Sequence, residues 1–210
     1  MMNKNALVFY HAPHSRSFAV RVLMEELQAD CRIHYLNLKK EEQKRPEYLQ
    51  INPVGKVPAL MANDVLISES VAVFIYLADR YADAQLAPDI RHPLRGAYLR
   101  WLVQYGSCFE PATTDAWLKR EPAAPDYLPY RDLDTQLAML CRQLEAGPYL
   151  LGATISAADI LWGVSLGWLI AFGVVPALPV LTAYVERIRE RPAYRRAETA
   201  DQQWLDAQPA

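Results

Sequence analysis

Three hydroxyl groups lie close together near the start of the chain, on Tyr10, Ser15 and Ser17. They flank a turn through Pro13 and His14 and precede Val20, Leu23, Met24 and Leu27, apolar at i, i+3, i+4 and i+7. That spacing predicts an amphipathic helix. The two serines therefore stand at a loop-to-helix junction, where a hydroxyl can cap free N–H groups or donate a hydrogen bond to an anion. A second junction is Glu69-Ser70, at the head of a helix expected over 68–81. The positive helix end and its free N–H groups favour a carboxylate there; a plain N-cap, worth about 1 kcal/mol, is the structural alternative. The third feature is Val57-Pro58. Proline within a sheet is confined to edges and strand starts, and here it falls at the start of one. His11 and His14 fall in the first loop, where an isolated imidazole is more often solvated than catalytic, so neither is given a role.

The elements that must position these groups alternate at first. Strands are expected over 7–10, 31–35, 57–61 and 65–67, with Asn63-Asp64 as a hairpin turn between the last two. With the two helices already named, the order is β-α-β, a charged linking stretch over 39–50, then β-β-α. Strands joined through a helix should be parallel and the later pair antiparallel. From about residue 90 the strand signals stop. Helices are expected over 92–108, over 129–146 ended by Gly147-Pro148, from Ser156-Ala157-Ala158-Asp159 onward, and over 179–191 stopped by Pro192. This change of pattern predicts two domains, 1–81 and 91–210, of α/β and all-α class.

Composition removes several functional classes. The chain has 210 residues with 22 Lys plus Arg against 24 Asp plus Glu, a formal net charge of −2. A charge so near zero argues against a nucleic-acid partner. With 52% hydrophobic and 22% charged residues the chain as a whole is not disordered. Cys31, Cys108 and Cys141 are odd in number and form no Cys-x-x-Cys pair, which excludes a disulfide framework, disfavours a zinc site and fits a reducing, cytoplasmic compartment. No metal ligands are assigned. The apolar stretch 6–10 is too short for a signal peptide. An uncharged run over 160–181 is interrupted by Gly163, Ser165, Gly167, Gly173, Pro176 and Pro179, so it is read as a buried helix ending near Val174 or Val175 and not as a membrane span.

Four passages carry a family resemblance: Ser15-Arg16-Ser17 before the helix running to Glu25-Glu26-Leu27; Asn52-Pro53-Val54-Gly55-Lys56-Val57-Pro58-Ala59-Leu60; Ile67-Ser68-Glu69-Ser70 followed by Ile75-Tyr76-Leu77; and Ser156-Ala157-Ala158-Asp159-Ile160. In this order they resemble the cytosolic glutathione transferases over nearly the whole chain. The resemblance implies a thioredoxin-like N-terminal domain, an all-helical C-terminal domain and usually a homodimer. It also implies glutathione as co-substrate, a small hydrophobic electrophile as its acceptor, and an enzyme that transfers alkyl or aryl groups to the thiol.

By the same resemblance the Val57-Pro58 bond is cis, and the Val57 N–H and C=O pair with the cysteinyl backbone of glutathione as an added strand would. Ser70 holds the γ-glutamyl carboxylate and Glu69 its ammonium; Lys56 either reaches the other carboxylate or faces solvent. The nucleophile is a thiolate, and lowering a thiol from about 8.5 by two units takes roughly 2.7 kcal/mol of differential stabilisation. The family supplies it with a Tyr, Ser or Cys just after the first strand. Ser15 is the choice here as catalytic and glutathione-binding residue, as in the serine-type branches; Ser17 is expected to cap the helix or face its first turn, and Tyr10 remains open. The electrophile pocket is implied between the domains, with Tyr105, Trp101 and Cys108 as candidates and Trp117 and Trp168 as further contributors, although aromatics at these spacings are more often core. Two other readings remain: a non-catalytic glutathione-transferase-like binding or adaptor protein, and a glutathione-dependent isomerase. The Ser-Ser-Cys-Ser motif usual in the isomerases is missing. A Cys-type thiol oxidoreductase is weaker, since no Cys lies near the first helix.

Overall fold

The computed structural model describes residues 7–121, 124–128 and 130–208. Ala6 and Pro129, with which two of the expected segments began, lie outside them. The packing divides the chain into two units: 1–84 with 192–210, and 85–191.

The first unit is built on four strands, β1 Leu7–His11, β2 Cys31–Tyr35, β3 Ala59–Ala62 and β4 Val65–Ser68. Their order is β2-β1-β3-β4, with β1–β2 parallel and the other two pairs antiparallel. Helix α1 Ser17–Leu27 crosses from β1 to β2, and α3 Ser70–Arg80 follows β4. Between β2 and β3 the charged stretch forms two 3-10 turns and the one-turn helix α2 Pro46–Leu49. Strand alternation sorts β1 cleanly: Leu7, Phe9 and His11 are buried on one face, while Val8 and Tyr10 are partly covered on the other. β1 thus runs one residue further than expected, and His11 is a strand residue. β3 begins after Pro58 and not at Val57. The buried face of α3 is Val73, Phe74, Leu77 and Ala78.

The second unit is helical: α4 Arg95–Gln104, α5 Glu110–Leu118, α6 Leu133–Glu145, α7 Ala157–Ala171 and α8 Pro179–Arg189. The helix expected over 92–108 is shorter, because Tyr105–Phe109 winds into a wider π turn that leads into α5. Core aromatics Trp101, Tyr105, Phe109 and Trp162 pack edge-to-face or tilted, with ring centroids 4.6–6.1 Å apart. Gly163 lets α7 approach α8, since a Cβ there would lie 2.4 Å from Ile188 Cγ1. No helix among the described residues is long and apolar enough to cross a membrane.

Helix α8 ends before Pro192, as expected; Pro192 also opens a further helix, α9 Pro192–Asp206, because proline costs nothing at a first helical position whose N–H has no partner. Packing groups α9 with the first unit: Tyr194 meets the Phe18 ring edge-on, Trp204 stacks on Tyr35 at 5.0 Å, and Arg196 bonds Glu25. The helical unit accordingly ends at Arg191, and 91–210 is not one packing unit.

Candidate active site

The sheet register gathers the candidates of the first unit at one end. Tyr10 pairs with Ala59, and Ala59 with Ser68, forming a row across three strands. Immediately beyond that row lie the Ala12–Arg16 loop after β1, the Val57-Pro58 bond before β3 and Glu69-Ser70 after β4. Three segments distant in sequence therefore leave the sheet at the same edge.

Ser15 is half-buried in the loop, and Ser17 is the buried first residue of α1. Their Oγ atoms are 2.7 Å apart, and the Ser15 hydroxyl is also 2.7 Å from the Ala12 carbonyl. The Ser17 N–H donates to Ser15 Oγ at 3.2 Å, and the Ala12 N–H donates to Ser17 Oγ at 3.1 Å. Behind the serines, Ser17 Oγ lies 2.7 Å from Nδ1 of His11, whose Nε2 lies 2.8 and 3.0 Å from the two carboxylate oxygens of Asp201 on α9. His11 is fully buried, and burial lowers its pKa despite the opposing pull of Asp201. Sequence reasoning missed this residue by placing it in a loop. The available signal was its place at i+4 from Leu7 and i+2 from Phe9 on the inward face of a strand, where an imidazole must find partners. Nothing in the sequence pointed to Asp201. Tyr10, on the other face, packs its ring against Tyr48 and His34. His14 is exposed at φ 56°.

The Val57-Pro58 bond is cis. The preceding loop is organised by buried Asn52, whose amide donates to the Lys56 carbonyl at 2.9 Å and whose oxygen accepts the Val54 N–H at 3.2 Å. Tyr48 donates to the same carbonyl at 2.5 Å. Gly55 takes φ +63° with Gln43 O only 3.0 Å from the place of a Cβ, which no other residue fits without strain. The Lys56 side chain is exposed, and Val57 is partly buried.

Glu69 occupies the N-cap position of α3 at φ 67°, ψ 120°, a region costly for a non-glycine residue. Its side chain makes no capping bond, so the N-cap alternative is not realised. The first backward helical bond is from Val73 N–H to Glu69 O at 3.0 Å. The N–H groups of Ser70, Val71 and Ala72 precede it and have no partner within the helix.

In the helical unit Trp101 is 1% exposed, stacked under Arg100, and its carbonyl accepts the Trp162 indole N–H at 2.9 Å. It is a core residue. Tyr105 is buried with its hydroxyl 2.9 Å from Ser165 Oγ. Cys108 is half-buried on the π turn, a distortion that recurs at functional sites. Trp117 is exposed and tilts against exposed Phe172. Burial pushes the Cys31 thiol up to about 12 and raises Cys141 as well, so neither is a ready nucleophile. No cluster among the described residues could hold a metal ion.

Comparison with known proteins accords with this geometry. Residues 6–79 match the glutathione S-transferase N-terminal domain. The chain is 30% identical over 203 residues to the disulfide-bond oxidoreductase YfcG of Escherichia coli K12, covering 90% of this chain and 92% of that one. It is 27% identical over 197 residues to glutathione S-transferase GstA of Escherichia coli O157:H7, with 91% and 97% covered. Among solved structures, a sphingomonad glutathione S-transferase complexed with glutathione superposes with a TM-score of 0.77 at 29% identity, covering 93% of this chain and 98% of that one. A four-stranded thioredoxin-like sheet followed by a helical region, with these relatives along nearly the whole length, defines the class. The chain belongs to the cytosolic glutathione transferase superfamily.

Proposed function

We propose that this protein binds glutathione at the Ser15 edge of the sheet and transfers its thiolate to small hydrophobic electrophiles. The observation that carries the reading is the row Tyr10–Ala59–Ser68, from whose end a hydroxyl donor, a cis-proline backbone and an uncapped helix start all emerge. The Val57 N–H and C=O would pair with the cysteinyl residue. Ser70 and the N–H groups behind it would hold the γ-glutamyl carboxylate, and exposed Glu69 its ammonium. Lys56 would approach the glycyl carboxylate. Ser15 would donate to the sulfur, favouring the thiolate over the thiol. Tyr105 and Cys108 are the helical-unit residues assigned to the electrophile. A reducing compartment fits the three free cysteines, and the family implies a homodimer, which sedimentation would test.

Calorimetry with millimolar glutathione, followed by a thioether-forming assay with an aryl halide, tests the proposal. Binding with turnover is expected; binding without turnover shifts the assignment to a binding or adaptor role, and no heat at all removes it.

A second reading comes from YfcG, named a disulfide-bond oxidoreductase. A glutathione thiolate held at Ser15 could attack the glutathionyl sulfur of a mixed disulfide, giving oxidised glutathione and releasing the other sulfur as thiolate. No cysteine of this chain would take part. Turnover of a glutathione mixed disulfide in a variant with Cys31, Cys108 and Cys141 all replaced by Ser separates this route from Cys-dependent exchange.

A further inference from the structure

The buried line Asp201–His11–Ser17–Ser15 has no part in holding the peptide portion of glutathione, yet it ends at the hydroxyl assigned to the sulfur. We infer that it is a proton relay that carries the thiol proton of bound glutathione to His11 instead of releasing it to solvent. The inference rests on the assignment of Ser15 to the glutathione sulfur.

Hydrogen-bond polarity follows from the contacts. A carboxylate can only accept, so with Asp201 2.8 Å from Nε2 the imidazole carries its hydrogen on Nε2 and leaves Nδ1 as a lone pair. The Ser17 hydroxyl, 2.7 Å away, then donates to Nδ1. Ser17 Oγ, already accepting from the Ala12 N–H, keeps one lone pair for the Ser15 hydroxyl at 2.7 Å. The Ser15 hydroxyl has two acceptors at 2.7 Å, the Ala12 carbonyl and Ser17 Oγ; turned to Ser17 it completes a line whose hydroxyls run inward, from Ser15 to Ser17 to His11. Ser15 Oγ already accepts the Ser17 N–H at 3.2 Å, and its other lone pair receives the arriving thiol.

One concerted shift completes the step. The S–H bond breaks and its electron pair stays on sulfur. Ser15 Oγ takes that proton and passes its own to Ser17 Oγ, which passes its own to Nδ1. Each serine ends as it began, with one proton and now pointing outward. The products are a thiolate accepting from Ser15 and an imidazolium whose Nε2–H remains on Asp201. The total charge is unchanged, which suits a line whose two inner members are buried. Burial favours neutral His11 in the ligand-free protein, so the proton stays on His11 only where the new thiolate and Asp201 together outweigh burial, which is what the proton count reads.

The charged and titratable groups around His11 are few. Asp201 faces it from α9. Tyr35, opposite it on β2, presents its ring at 5.2 Å and its hydroxyl 3.4 Å from Asp201 Oδ1. Arg21 on α1 opposes protonation by its charge and is paired to Glu25 at 2.6 Å. From β3 the neighbouring position is Ala59, paired with Tyr10, which carries no charge.

The test counts protons in the unmodified protein. At pH 7, glutathione is added in a weakly buffered solution with a pH indicator, thiolate is read from its ultraviolet absorbance, and the S-methyl thioether of glutathione sets the baseline. Thiolate formation with almost no proton released is the expected result. Release of about one proton per thiolate overturns the relay while leaving the glutathione assignment intact. If neither ligand binds, the functional assignment itself fails and the relay with it. Asp201→Asn, close in shape to the original, should return the proton to solvent and cut the thiolate fraction at pH 7 about tenfold, an apparent thiol pKa roughly one unit higher. Nitrogen chemical shifts of His11 in the ligand-free protein give an independent reading: hydrogen on Nε2 is required, and hydrogen on Nδ1 refutes the scheme.

Discussion

Each unit of the molecule contains a buried aspartate, and the two are served differently. Asp159, at the start of α7, accepts the Leu150 N–H at 2.7 Å, the Ser156 N–H and hydroxyl at 2.8 Å each, and the Tyr184 hydroxyl at 2.9 Å. Burial pushes its carboxyl up, those donors pull it back, and burial holds Tyr184 well above the usual phenol range. Both carboxylate oxygens are engaged by main chain or by buried side chains, so the network is closed. Asp201 meets the His11 imidazole, with the Tyr35 hydroxyl at 3.4 Å, and the line continues outward through Ser17 to half-buried Ser15. A closed set of donors ties a loop, a helix start and α8 together. An open one delivers a hydroxyl to a surface. On the proposed assignment of Ser15, the same side-chain chemistry serves architecture in one unit and reactivity in the other, according to whether its hydrogen bonds end inside.

The largest effect that could break this contrast is Asp159→Ala. It strands buried donors and should cost about 3–5 kcal/mol in a urea titration. A loss below about 1 kcal/mol would mean that the network is no more structural than its counterpart. Ser15→Ala should invert the pattern, lowering kcat/KM for glutathione conjugation about 10²–10³-fold with stability nearly unchanged. Glu69→Gln keeps the shape but removes the charge offered to the ammonium, and roughly tenfold weaker glutathione binding by calorimetry is expected.

A pH measurement sharpens the contrast next. Because the folded pKa of His11 is lowered, the unfolded chain binds more protons between that value and about 6.5. Stability then rises with pH across this window and is lost as pH falls through it, by at most about 1.4 kcal/mol per pH unit for one proton. Urea midpoints from pH 5 to 7 should show the slope in the natural protein and a flatter one in His11→Asn. The smallest effect belongs to Lys56→Ala. Its exposed ammonium should change the KM for glutathione no more than about threefold, and about 0.5 M salt should abolish the difference.

Much of the N-terminal unit was legible from residue order. Alternation in Cys31–Tyr35 and the i, i+3, i+4 spacing in α1 report local geometry that each segment adopts by itself. Val57-Pro58 and Glu69-Ser70 were legible because proline and a helix start restrict their own neighbours. The helical half was less so. Trp101 and Tyr105 share a spacing that serves a core as well as a pocket, and only burial separates the two. The π turn at Tyr105–Phe109 has no simple periodic signature, and Pro192 reads equally as the end of one helix or the start of the next.

What the chain determined by itself, then, is the strands of the first unit, α1 and α3, and the residues at their ends, since these follow from φ/ψ preferences and side-chain period over a few residues. Tertiary packing alone decided what stands behind Ser15. Asp201 is 190 residues from His11, and the two meet because α9 lies against α1, through Phe18 and Tyr194, and over β2, through Tyr35 and Trp204. No local preference encodes a partner at that separation. The burial of apolar faces brings the carboxylate to the imidazole, and the low polarity of that interior makes the pairing consequential.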